Sequence, residues 1–221
     1  MASPAVAQTA ERKAPSPRTG TSTFVGAFRD SLRLLVAQHA IRIAFQEKTR
    51  RELGGPFFGD YRRSVTVPLR WSDGDSFATN NIGHPIQGAA SGFIWVAHTP
   101  ARGLSLSSDG AYWHSRLAAT AWSAIYSLQF EVGPFSEASI GNVGMNRNTT
   151  GWTDYVVTPT IGLAFMVGED AIDRWVLPLI ERAHSDTLTR LSRTLLNPSR
   201  SIANMAGTHF PWDRADRPLH R

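Results

Sequence analysis

Twenty-six consecutive residues, Ser76 to Ala101, contain no Asp, Glu, Lys or Arg. A helix of that length reaches across a bilayer. Yet Asn80, Asn81, His84 and Gln87 crowd its first half, which excludes a plain lipid-facing helix. Two later apolar segments repeat the layout, one ending at Glu131 and one opening at Asp154. Ionisable groups at the ends of apolar helices predict a shared polar centre.

A chain of 221 residues is most simply one domain with tails. Its 42% hydrophobic content and mean hydropathy of −0.22 suit a soluble or peripheral protein better than a fully lipid-embedded one. A net charge of +5 suits an anionic surface. The basic residues sit mainly toward the two ends and form no block interleaved with aromatics, so a membrane surface is the expected partner and nucleic acid is not. Protein partners are not identified by the sequence. The absence of cysteine excludes disulfides and thiolate ligands.

Residues 1–23 read as a disordered tail or the remnant of a leader. Ala5 and Ala7 have the small-residue spacing of a signal-peptidase site, without the basic start and apolar core that must precede it. Residues 24–53 read as a basic amphipathic helix, with Phe28, Leu32, Leu35, His39 and Ile43 on one stripe. Arg29, Arg33, Arg42, Lys48, Arg50 and Arg51 lie largely off it. Such a helix lies in a membrane interface or packs as an ordinary surface helix; His39 is expected to pack in the core. Residues 54–185 read as the helical core and 186–221 as a C-terminal helix and irregular arm. Within the core, Tyr61–Trp71 is expected to be a short extended piece and Asp73-Gly74-Asp75 a turn. Asn148-Thr149-Thr150 fits a glycosylation sequon.

The three central segments are predicted to build a compact, mostly α bundle with close-packed glycine-rich helix faces and extended terminal arms. In the first, Gly88 and Gly92 leave one face almost bare, inviting a second helix. Pro85 places Asn80, Asn81 and His84 at an amide-rich helix start. In the second, about Gly110 to Val132, Glu131 ends an apolar stripe of Leu117, Ala121, Ala124 and Leu128. In the third, Thr153 or Asp154 reads as an N-cap and Pro159 as a kink. Gly168 reads as a stop, placing Glu169, Asp170 and Asp173 in the first turn of the next helix. Asn197-Pro198 is expected to stop the last helix.

The ordered motifs Asp75-x-x-x-Thr79-Asn80-x-x-x-His84-Pro85-x-x-Gly88, Phe130-Glu131-x-Gly133, Asp154-x-x-x-Thr158-Pro159-x-x-Gly162 and Gly168-Glu169 resemble an uncharacterised bacterial envelope family, domain of unknown function 3943. They cover about Trp71 to Asp170. One departure is Gly151, where the pattern has Ser. The resemblance implies a helical, envelope-associated bacterial protein, periplasmic or membrane-bound, with no established activity.

Nucleophile-elbow, zinc-protease, phosphate-loop and dinucleotide motifs are absent from the sequence, and whether a cofactor is bound is left open by it. The candidate centre is His84, Glu131 and Asp154, supported by Asn80, Asn81, Thr158 and Glu137, with Gly88, Gly92 and Gly162 as helix-packing positions. No metal set is assigned from spacing. A buried structural network is the first reading of the three. The alternatives are a membrane-associated hydrolase acting on lipid or glycan, and a metal- or ligand-binding site.

Overall fold

The computed structural model describes residues 20–72, 76–140, 150–183 and 185–219. The tail through residue 19, the Asp73-Gly74-Asp75 turn and the Asn148 sequon lie outside the described residues. The helices are α1 (Gly20–Phe45), α2 (Glu47–Glu52), α3 (Phe57–Thr66), α4 (His84–Ala97), α5 (Gly110–Val132), α6 (Thr153–Ala171), α7 (Leu177–Ala183), α8 (Asp186–Leu196) and α9 (Pro198–Ala206). The protein is a mostly α, closely packed bundle, as its periodicity predicts.

Several boundaries differ from the sequence reading. The basic segment breaks at Gln46, and Arg50 donates to the Ile43 and Ala44 carbonyls that end α1. Tyr61 to Thr66 is helical, because α3 runs through it; only Leu69–Arg70 is extended (β1), pairing in parallel with Thr150–Gly151 (β2). Gly168 does not stop α6, which continues through Ile172–Val176 into α7. Helix α8 ends at Leu196, where Asn197-Pro198 was expected to stop it, but Pro198 also opens α9 inside the expected irregular arm, because a missing N–H costs nothing at the first helical position.

Two prolines are accommodated the same way. Thr79–Gly83 and Ile172–Val176 are π-turns, and Pro85 and Pro178 follow each by two residues. In a regular α-helix the proline ring clashes with the carbonyl four residues back. A wider turn before it relieves the clash and keeps the helix running. The polar stretch before His84 is therefore continuous with α4, capped by Ser76, whose Oγ accepts the Thr79 N–H at 3.1 Å.

Helix α4 is the centre of the bundle, enclosed by α5, α6, α9 and α1. Its glycine face is closed: Gly88 lies against the Thr158 carbonyl of α6 and the Ser123 hydroxyl of α5. Gly92 faces Met166 and Ala119, while Gly162 meets the Gly88 and Ala89 backbone. The start of α4 meets the end of α5 and the start of α6, so α4 and α6 run parallel with α5 antiparallel between their ends.

The flanking helices bury polar residues beside their core apolar ones and leave several large apolar side chains exposed. Helix α5 buries Ser115, Arg116, Ser123, Ser127 and Glu131, and exposes Trp113, Leu117, Ile125 and Leu128. The expected apolar stripe of Leu117 and Leu128 therefore faces outward, while Glu131, at its end, is buried. Helix α8 buries Thr189 and Arg193 beneath exposed Leu188, Leu191 and Leu195. Helix α1 buries Asp30 and Ser31 along with Ala27, Leu34 and Leu35, leaving Phe24, Phe28, Leu32 and Val36 outside. Helix α6 presents Val156, Thr160, Ala164 and Gly168 outward.

Candidate functional site

His84, Glu131 and Asp154 are all buried, and one ligand atom from each lies within 4.8 Å of the other two. His84 Nε2 stands 3.4 Å from Asp154 Oδ2. The helix directions explain the meeting: two helix starts and one helix end share one end of the bundle. His84 does not sit at a free, amide-rich helix start, since its own N–H bonds to the Thr79 carbonyl across the π-turn. Asp154 is not an N-cap either; Trp152 holds that position, and the Asp154 side chain turns to His84.

The supporting residues divide. Thr158 is fully buried one turn beyond Asp154. On α5, Ser123, Ser127 and Glu131 form one buried column at four-residue spacing, with the Ser127 hydroxyl donating to the Asp154 carbonyl at 3.2 Å. Asn80 and Asn81 lie half-buried in the π-turn, where Asn81 donates to the Phe77 carbonyl. Glu137 instead pairs with Arg42 of α1. His39 stacks on Phe130 and bonds the Phe135 carbonyl, a packing role.

The opposite end of the bundle holds a second polar assembly that sequence reasoning missed. Asp170 accepts hydrogen bonds from Tyr112 Oη at 2.8 Å and Arg116 Nε at 2.7 Å, and also pairs with Arg200 of α9. Asp173 pairs with Arg214 and Arg217, and Arg193 with Glu181. Burial, reinforced by Arg200 and only partly opposed by Asp173, pushes the Arg214 guanidinium down to about 10, so it stays charged at neutral pH. Asp30 of α1 meets His98 at 2.7 Å. A cavity of about 430 Å³ opens here, lined by Asp30, His98, Arg102, Arg200 and His209 among others, away from His84. The sequence signal was present as alternating acids and arginines from Glu169 to Arg217, but their pairing is tertiary.

Glu169 also departs from expectation. It does not start a new helix. Its carboxylate accepts the Ser199 and Arg200 backbone N–H groups at 2.8 and 3.0 Å, capping α9 from outside. Glu169→Ala is expected to lower stability by about 0.5–2 kcal/mol, the usual value of a helix cap, measured by thermal unfolding.

No protein-family model, curated protein or solved structure matches this chain.

Proposed function

We propose that this is a partly membrane-embedded protein of the bacterial envelope, a helical bundle that pairs its polar groups inside and turns exposed apolar side chains to lipid. The observation that carries this reading is the outward apolar face of α5, from Trp113 to Leu128, on a helix that also buries Ser115, Arg116, Ser123, Ser127 and Glu131 beside its core aromatics. In water that arrangement leaves a large apolar surface wet, a feature that marks an interaction surface. The polar residues inside match the rule that ionisable groups at membrane depth face the bundle interior and pair.

Tryptophan placement supports the same reading. Trp71 and Trp152 pack edge to face and are exposed at the His84 end; Trp113 and Trp175 are exposed at the Asp170 end. At 1.5 Å per residue, Trp152 and Trp175 are separated along the helix by about 34 Å, close to the roughly 30 Å hydrocarbon layer. Tryptophans gather at both membrane–water interfaces. The helix Thr153–Arg182 is long and apolar enough to cross a membrane. The ordered motifs resembling the envelope family point to the same address.

In cells expressing the full gene, the protein is expected in the membrane fraction, released by detergent and not by high salt. Lysine at Leu117 and Ile125 together is expected to abolish that recovery, because a charge near the bilayer centre costs about 2.5–3.5 kcal/mol. On a water-facing surface the same pair changes little. Wild-type protein recovered wholly as a soluble monomer, or a double variant retained in the membrane, refutes the reading.

A further inference from the structure

We infer that His84, Glu131 and Asp154 form a binding site for a divalent transition-metal ion of the zinc class. The donor set is one imidazole and two carboxylates, each residue contributing a donor atom within 4.8 Å of the others and each at least nine-tenths buried. Among these three groups the charge is −1 even with His84 protonated. A divalent ion with neutral imidazole brings it to zero, removing the repulsion between neighbouring carboxylates.

The spacing of His84 and Asp154 is compatible with a bridging metal, and the molecule supplies its own comparison. His98 and Asp30, the other buried His–Asp pair, are closed to 2.7 Å, a direct charge-assisted hydrogen bond. His84 and Asp154 stand at 3.4 Å, too long for such a bond. Two donors each about 2.0–2.1 Å from a tetrahedral ion are roughly 3.4 Å apart.

A second observation lies in the surrounding shell. Among the described residues, the buried Thr158 and Ser123 hydroxyls and Gln87 amide nitrogen meet no hydrogen-bond partner. Thr158 is one turn from Asp154 on α6 and Gln87 one turn from His84 on α4, while Ser123 lies beside Gly88, two turns from Glu131 on α5. Each orphaned buried group costs about 1–3 kcal/mol. A ligand with donors and acceptors of its own, such as a hydrated ion, would offset that cost.

The donors also narrow the ion. An imidazole ligand selects against magnesium and calcium, and the absence of cysteine selects against thiophilic ions. Three protein ligands leave one position open, the arrangement of a reactive zinc site more than of a closed structural one.

The test uses full-length, tag-free protein, loaded with Zn²⁺ and dialysed. Elemental analysis is expected to give one zinc per chain. X-ray absorption of the loaded wild type is expected to show only nitrogen and oxygen scatterers, with a single imidazole. Glu131→Gln and Asp154→Asn are expected to weaken Zn²⁺ affinity by more than the roughly 10–100-fold caused by losing an outer-shell partner, while His39→Gln binds as wild type. No stoichiometric zinc, an imidazole count of two or more, unchanged affinity in both carboxylate variants, or equal loss in His39→Gln each overturns the assignment. The zinc count and absorption spectrum need no variant, so the inference stays open to refutation even where a substitution fails to fold.

Discussion

Alanine at position 170 is expected to lower stability by roughly 3–5 kcal/mol, the range for breaking a buried ion pair from one side. Asp170 and Arg116 are both almost fully buried, and the carboxylate serves Arg116, Arg200 and Tyr112 together. Its removal strands the Arg116 guanidinium, which cannot shed its proton to escape. The Ser115 hydroxyl and the Tyr112 ring remain beside it, but neither is a counter-charge. The converse variant, Arg116→Met, is expected to cost less. Its side chain fills much of the space, and Asp170 keeps Arg200 and Tyr112. Denaturant unfolding followed by circular dichroism orders the two. A cost below about 1 kcal/mol for Asp170→Ala is the range of solvent-exposed pairs and would mean that water reaches this carboxylate.

The same asymmetry explains what the sequence made legible. Helical spacing marked α4, α5 and the start of α6, and chain order alone put His84, Glu131 and Asp154 at one end, since alternating helix directions bring a start, an end and a start together. The glycine face of α4 was equally readable, because Gly88 and Gly92 leave no side chain to obstruct a neighbour. What periodicity could not give was which side of each helix faces in. Ordinary reasoning turns the apolar stripe inward, and for α5 this placed Leu117 and Leu128 in the core when they are about half exposed. The stripe was found; its direction was inverted. Gly168 failed differently. It is a local stop signal, overridden where Asp170 and Glu169 tie this stretch of helix to Arg116 and to the start of α9. Those ties join residues about 30 to 54 positions apart, beyond the reach of any local rule.

Gly88→Ala is expected to be as damaging as the loss of Asp170, by a different route. A methyl carbon at Gly88 falls 2.0 Å from the Thr158 carbonyl oxygen and 2.8 Å from its carbon, with the Ser123 hydroxyl at 3.1 Å. The first obstacle is backbone, which no rotamer change moves, so α4 and α6 must separate. Overpacking of this kind costs about 1–3 kcal/mol and occasionally more. With backbone on the clashing side we expect about 3 kcal/mol, after the gain of roughly 1 kcal/mol from replacing a helical glycine. The consequence reaches the polar centre, because His84 and Asp154 sit one turn before Gly88 and Thr158 on the same two helices. Separating those helices stretches the His84–Asp154 distance and weakens zinc binding together with the fold. Gly168→Ala is the control: it lies within the same α6, and a methyl there meets nothing within 4 Å. It is expected to raise stability by about 0.5–1 kcal/mol through reduced freedom of the unfolded chain. Opposite signs at the two glycines are the signature of a closed α4–α6 seam, and a neutral or stabilising Gly88→Ala would show that the helices do not meet at that face.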